Sequence, residues 1–301
     1  VKCLLCGSDY LLTVTTELRN GPGDVLRCGA CDLEMLNGAP AVDYAQAYRD
    51  GHGPVLGQRN TPVELFTAYR PHQEHRVALL KPLFTKTTRV LEIGCSAGQF
   101  LDTVKPHVKE AVGIEVDPGA AAYAQERTGC SVYAKLSELP KGTFGLLCYF
   151  QVVEHLTNPL EEIRAALPYL APEGVLCIEV PSLRDPLLTV YQNAAYRTFY
   201  YHEAHRFYFS PKSLRLLIEQ LGFTGDVYGV QDYTFLNHLH WAFTGKPQAS
   251  CEEGLVAKWP AHPPQLPEVL DDFAVAVDQR YKTYLAQIGC TENITFVGRR
   301  P

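Results

Sequence analysis

The run Val90-Leu-Glu-Ile-Gly94-Cys-Ser-Ala-Gly98-Gln-Phe100 constrains the fold of this chain more than any other feature. A short apolar stretch ends in a carboxylate and a glycine, turns through small residues, and enters an amphipathic stretch at a second glycine. Glycine lets a backbone approach a ligand where a side chain would collide. The spacing is G-x-x-x-G with serine at 96, not the G-x-G-x-x-G of a nicotinamide site, so a pyrophosphate cradle is disfavoured. Downstream, short apolar runs predict strands at 89–93, 111–116, 131–134, 145–150, 174–180, 226–230 and 294–298. Residues 145–150 are almost wholly apolar, as in a strand buried on both faces. Asp117-Pro118, Asn158-Pro159 and Ser210-Pro211 cap and open helices between them. Leu214, Leu217, Ile218 and Leu221 recur at helical spacing, and Gly222 stops that helix. The alternation predicts an α/β fold with a mostly parallel sheet and helices on both faces.

Two further pairs, Cys3/Cys6 and Cys28/Cys31, stand ahead of this region. C-x2-C repeated at this distance is the spacing of two zinc knuckles, whose four thiolates close a tetrahedron. Redox or free thiols are the alternative reading. A closed four-thiolate site is structural, so Zn2+ is assigned to folding rather than chemistry. Cys95, Cys130, Cys148, Cys177, Cys251 and Cys290 are scattered, several in apolar runs, which is not a secreted disulfide framework.

The predicted organisation is a zinc-binding module at 1–40, a linker and helical substrate lid at 41–87, and the α/β domain at 88–301 with an insertion at 231–290. Thr61-Pro-Val-Glu64 is a capping box that opens a helix carrying Leu65, Phe66 and Tyr69. Pro71 breaks it and it resumes through Leu79 and Leu80. Prolines at 259–267 mark a loop before a helix at 268–288. With 33 acids against 27 bases, the formal charge is −6. That excludes a basic footprint for a nucleic-acid backbone. No apolar run reaches the length of a membrane span, and residues 1–30 do not read as a signal peptide. The expectation is a cytoplasmic protein that acts on a small molecule without nucleic acid or membrane; its oligomeric state is left open.

The glycine turn resembles motif I of class I S-adenosylmethionine-dependent methyltransferases, and the order of elements over roughly 88–230 agrees with that family. The resemblance implies a Rossmann-like, mostly parallel seven-stranded sheet with an antiparallel last strand, and S-adenosylmethionine as cofactor. It implies cofactor contacts from Glu92, Gly94, Cys95, Ser96, Gly98, Phe100, Glu115, Val116, Phe150 and Gln151. Glu115 would grip the ribose hydroxyls. Glu92 stands where the family carries Asp, and would reach the ligand's amino group. Phe150-Gln-Val-Val-Glu-His155-Leu is similar to the family's segment beside the transferred methyl, and Ala171-Pro-Glu-Gly174 is also family-like.

Tyr200-Tyr201-His202-Glu203-Ala204-His205-Arg206-Phe207-Tyr208-Phe209-Ser210 is the densest cluster of candidate side chains. Its histidines are three apart, so it is not the H-E-x-x-H of a zincin. It resembles a segment of the zinc-containing sugar C-methyltransferases of deoxysugar antibiotic pathways, which also carry an N-terminal four-cysteine module. Here Ala204 interrupts the family's Glu-His pair, and no counterpart of the family's further C-terminal domain is expected after the last strand. The resemblance implies His205 as base with Glu203, His155 and Tyr69 as further catalytic candidates, and Tyr201, His202 and Tyr208 at the substrate. Histidine suits proton removal near neutral pH. The expected activity is C- or O-methylation of a sugar or natural-product intermediate. The alternatives are an RNA methyltransferase that grips its substrate through the zinc module, and a non-enzymatic zinc-ribbon protein. Residues 1–40 hold only Lys2, Arg19 and Arg27 as bases, few for phosphate binding. His72/His75 and His238/His240 read as solvated or packing residues, with lining of the pocket as the alternative for the second pair.

Overall fold

The computed structural model describes residues 1–38, 61–71, 73–259 and 269–301. The linker expected at 41–60, His72 and residues 260–267 of the proline loop lie outside them.

Two cysteine turns bracket an antiparallel hairpin, β1 (Leu11–Leu18) and β2 (Gly21–Cys28), which is followed by β3 (Glu34–Leu36). In each turn the residue after the second cysteine is left-handed: Gly7 at φ 74° and Asp32 at φ 63°. Their N–H groups donate back to the carbonyls of Cys3 and Cys28, both at 2.9 Å. Gly29, inside the second turn, makes room for a ring. A Cβ there would lie 2.2 Å from Tyr10.

Thr61 caps α1 (Pro62–Tyr69) with the anticipated capping box, and α2 (Gln73–Leu80) follows. Strands and helices then alternate: β4 (Arg89–Ile93), α3 (Gln99–Val104), β5 (Glu110–Ile114), α4 (Pro118–Thr128), β6 (Ser131–Tyr133), β7 (Phe144–Phe150), α5 (Pro159–Ala166) and β8 (Leu170–Pro181). Beyond β8 come α6 (Pro186–Thr189), α7 (Ala194–Tyr200), β9 (Phe207–Tyr208), α8 (Pro211–Gln220) and β10 (Thr224–Val230). Helices α9 (Phe235–Thr244), α10 (Cys251–Leu255) and α11 (Val269–Gln287) precede β11 (Asn293–Arg299).

The central sheet has the order β10-β11-β8-β7-β4-β5-β6. Its pairs β4–β5, β4–β7, β5–β6 and β7–β8 are parallel, and β11 runs antiparallel to both neighbours. This is the α/β class and strand order of the class I methyltransferase fold. Side-chain alternation along the strands feeds two cores. Leu91, Leu147, Tyr149, Leu176 and Ile178 face one side with Ile163 of α5 and Leu214 of α8. Val90, Leu146, Cys148, Val175 and Cys177 face the other with Leu101 of α3 and Ala124 of α4. Each such buried Leu or Ile stabilises the fold by about 1.5–3 kcal/mol. The direction of strand progression reverses between β4 and β7, so a crevice opens at their C-terminal ends.

The N-terminal strands do not stand alone. β3 pairs with β9, Glu34 opposite Tyr208 and Met35 opposite Phe207. Arg19 N–H donates to the Tyr201 carbonyl at 2.7 Å, and Leu36 N–H to the Arg206 carbonyl at 2.9 Å. Cys3, Cys28, Cys31 and Met35 share one core with Phe207, Phe209 and Leu214. The cysteine turns thus support the segment that carries His205. No helix among the described residues is long and apolar enough to cross a membrane.

Candidate functional site

A cavity of about 1160 Å³ lies at the C-terminal ends of β4, β5 and β7. On one wall, the glycine turn follows β4. Gly94 has φ 72°, and a Cβ would lie 2.5 Å from Val152. Ser96 (φ 48°) and Gln151 (φ 57°) are left-handed non-glycine residues, and both line the cavity. Such strain is held in place by surrounding structure and concentrates at functional sites. Ser96 N–H donates to Glu115 at 2.8 Å, and Asp117 N–H donates to its other oxygen at 2.8 Å. These bonds fix the Glu115 carboxylate at the tip of β5. Burial raises its pKa, and the two backbone donors oppose the rise.

Glu92 is 4% exposed, and its Oε2 has no hydrogen-bond partner among the described residues. Burial pushes its carboxyl up to about 8, with the Arg76 guanidinium pulling the other way. A buried carboxylate oxygen without a donor is costly, and a cationic amino group from a ligand would satisfy it. Cys95, Phe100, Val116 and Phe150 complete this wall, Phe100 and Phe150 packing edge to face at 4.7 Å. Gly98 does not reach the cavity. It opens α3 at φ 83°, and a Cβ would lie 2.9 Å from Thr128 and 3.0 Å from Ala124, so its role is the close approach of α3 to α4.

The opposite wall carries Glu154, His155, His202 and His205, with Tyr69 of α1 and Arg19 from the β1–β2 turn. Arg19 lies over the Phe199 ring at 3.7 Å. His155 and His205 meet edge to face at 4.6 Å, and the His202 ring is 3.9 Å from that of His205. Ala204, which separates Glu203 from His205, turns its carbonyl to His155 Nδ1 at 2.8 Å. Glu203 is exposed and accepts from Asn20 at 2.8 Å. It lines a smaller adjoining cavity of about 240 Å³ with Tyr69, His202 and Trp241. Glu154, rather than Glu203, places a carboxylate oxygen 4.0 Å from His205 Nε2. Burial pushes the Glu154 carboxyl up to about 8.

Tyr201 and Tyr208, expected at the substrate, are 2% and 1% exposed and lie outside the cavity lining. The Tyr201 hydroxyl donates to Glu34 at 2.7 Å, and the Tyr208 hydroxyl accepts from His202 N–H at 2.9 Å. They position the histidine segment from below. His238 is buried against the Tyr281 hydroxyl at 2.7 Å, and burial lowers its pKa to about 4. His75 bridges Glu179 and Asp232 at 3.0 and 2.9 Å. Sequence reasoning did not single out Glu154, Arg19 or Arg76. Glu154 is adjacent to His155 and could have been found there. Nothing local marks Arg19, which the β3–β9 pairing brings to the cavity.

Over residues 65–226 the sequence matches the family described as Methyltransferase domain, more than half of the chain. The chain belongs to this methyltransferase family. A chain from the complex of the Haloferax volcanii Trm112 methyltransferase activator with a methyltransferase superposes at a TM-score of 0.53, with 12% identity over 86% of this chain and 98% of that one. A SAM dependent methyltransferase from Archaeoglobus fulgidus gives 0.49, with 17% identity over 79% and 97%. A sugar N-methyltransferase from a Streptoalloteichus species gives 0.31, with 22% identity over 38% and 47%. Comparison with curated proteins finds no match.

In this methyltransferase the four N-terminal cysteines converge. Cys3 and Cys31 sulfurs are 3.5 Å apart, Cys6 and Cys28 sulfurs 3.4 Å, and all four lie within 4.8 Å of one another. Thiolates on a tetrahedral zinc stand about 3.8 Å apart. The four residues therefore fit a metal.

Proposed function

We propose that this methyltransferase uses S-adenosylmethionine to methylate a small-molecule acceptor, a sugar or natural-product intermediate, at carbon or oxygen. One observation carries the reading: a single cavity presents an unsatisfied buried carboxylate, Glu92, on the glycine-turn wall and three imidazoles, of His155, His202 and His205, on the other. S-adenosylmethionine, when bound, supplies an electrophilic methyl on sulfur. Glu92 takes its amino group, Gly94 lets the backbone approach it, and the fixed Glu115 carboxylate takes the ribose hydroxyls. Phe100, Val116 and Phe150 enclose the ligand and keep water out.

The acceptor lies against Tyr69, His202 and His205. His205 removes its proton, with His155 beside it and Glu154 as the nearby carboxylate, a place expected for Glu203. Zn2+ in the four cysteines is structural: it holds β3, and through β9 the histidine segment. Two of the module's three bases support a small molecule over RNA, since Arg19 turns inward over Phe199 and Arg27 pairs with Glu34.

The test is methyl transfer from S-adenosylmethionine to a panel of nucleotide-linked sugars and related hydroxylated intermediates. His205→Ala is expected to keep its affinity for S-adenosylhomocysteine and to lose about 10²–10⁴-fold in turnover. Normal turnover by that variant removes His205 from the mechanism.

A further inference from the structure

We propose that Glu154, His155 and His205 form a mononuclear site for a divalent transition-metal ion, open to the cavity, which holds an oxygen of the acceptor. The residues come from two segments, the turn after β7 and the loop before β9, and the fold brings them to one point. Glu154 Oε1 is 3.8 Å from His155 Nε2 and 4.0 Å from His205 Nε2. One donor atom from each residue lies within 4.8 Å of the other two. Ligand atoms about 2.0–2.2 Å from a common ion stand roughly 3–3.5 Å apart, so small side-chain rotations close the set.

The chemistry of the donors points the same way. Glu154 is 1% exposed, and neither of its carboxylate oxygens has a hydrogen-bond partner among the described residues. The Arg76 guanidinium is engaged by Glu179. The Ala204 carbonyl, 2.8 Å from His155 Nδ1, keeps the proton on that nitrogen. In the neutral ring the lone pair is then on Nε2, facing the Glu154 carboxylate. A carbonyl behind an imidazole is the usual arrangement that orients a metal-ligating histidine. Two acceptor atoms therefore face each other across 3.8 Å. A shared proton would draw them to about 3 Å or less, whereas the observed gap accommodates an ion.

Three protein ligands leave coordination positions open, and all three residues line the cavity. Two imidazoles and one carboxylate favour Zn2+, Mn2+, Fe2+, Co2+ or Ni2+ over Ca2+ or Mg2+. The site is separate from the four cysteines, which offer sulfur alone. The ion's effect on methyl transfer rests on the reading above; the site itself does not. With the ion in place, His205 is a ligand rather than the direct base. The acceptor O–H then breaks on the ion, leaving its electron pair on the held oxygen and passing its proton to water.

The test is titration of the full chain carrying a single equivalent of zinc, that of the four cysteines, with Co2+ alone, followed by visible absorption. The expected result is one further equivalent of Co2+ with weak d–d bands and no thiolate charge-transfer band. Glu154→Gln and His205→Ala each lower that affinity at least tenfold, while zinc content and S-adenosylhomocysteine binding stay at wild-type values. Glu161→Gln, a remote exposed control, leaves it unchanged. Absence of saturable Co2+ uptake overturns the proposal, as does uptake that both variants retain. If Glu154→Gln fails to fold, His205→Ala decides. Intact Co2+ uptake without methyl transfer to any acceptor in the panel would sink the acceptor reading and leave the ion site standing.

Discussion

Glu92 and Glu115 stand at adjacent strand ends, the first buried and the second half-buried, and they are prepared differently. Backbone donors fix Glu115, whereas Glu92 keeps an unsatisfied oxygen and a pKa near 8. A bound ammonium favours the ionised form of Glu92, so its pKa falls on binding. The sign follows: cofactor affinity rises with pH up to about 8 and levels above it, and binding near pH 7 releases protons. Calorimetry with S-adenosylhomocysteine in two buffers of different ionisation enthalpy measures that release. Glu92→Gln is expected to weaken binding roughly 10–100-fold, as for loss of a hydrogen bond to a charged group, and to abolish the proton release. The carboxylate, the glycines and the small residues of this turn were legible in the sequence, because the motif is local. The roles of Tyr201 and Tyr208 were not. A tyrosine in an aromatic run looks the same whether its hydroxyl faces a cavity or a buried partner such as Glu34.

Among the elements, α3 and β9 carry most of the burden of placing the site. α3 begins at Gly98, whose left-handed backbone and contact with Thr128 and Ala124 leave no room for a side chain. Gly98→Ala is expected to cost about 1–3 kcal/mol through strain and overpacking, lowering the melting temperature by about 2–4 °C for each kcal/mol. Circular dichroism melting checks it. β9 contributes two residues to the N-terminal sheet, directly after the histidine segment. Stripping the zinc proposed for Cys3, Cys6, Cys28 and Cys31 with a strong chelator should therefore loosen more than the N-terminus. Amide exchange at 201–209 is expected to rise with that at 1–38, and methyl transfer to fall in step. Unchanged protection at 201–209 would separate the cysteine turns from the site. The start points of α1, α4, α5 and α8 were readable from Thr61, Asp117, Asn158 and Ser210, since a cap is a bond between near neighbours. The pairing of β9 with β3 was not, because two residues of strand carry no periodic signal.

At the scale of the molecule, a buried charge cluster ties the segment ahead of the central sheet to its far side. Glu179 of β8 is fully buried and bonded by Arg76 at 2.9 Å, His75 at 3.0 Å and the Thr295 hydroxyl at 3.0 Å, while His75 also meets Asp232. The hydrogen bonds and charges of Asp232 and Glu179 outweigh burial and raise His75 to about 9 from 6.5, and Arg76 and His75 hold Glu179 well below the usual carboxylate range. A histidine with a raised folded pKa gives stability that is complete below about pH 6.5 and lost as pH passes about 9. The amount is roughly 3 kcal/mol. Denaturant unfolding from pH 6 to 9.5 is expected to show wild type and His75→Gln far apart at pH 6 and converging near pH 9.5; a constant gap refutes the assignment. The sequence by itself determined the α/β alternation, the glycine turn at the switch between β4 and β7, and the two cysteine pairs, because each is written in residues a few positions apart. Only the tertiary structure decided that Glu154 rather than Glu203 faces His205, that Ala204 orients His155, and that Arg19 reaches the cavity. Those contacts join distant segments, and which side chains meet depends on how the sheets pack rather than on any local pattern.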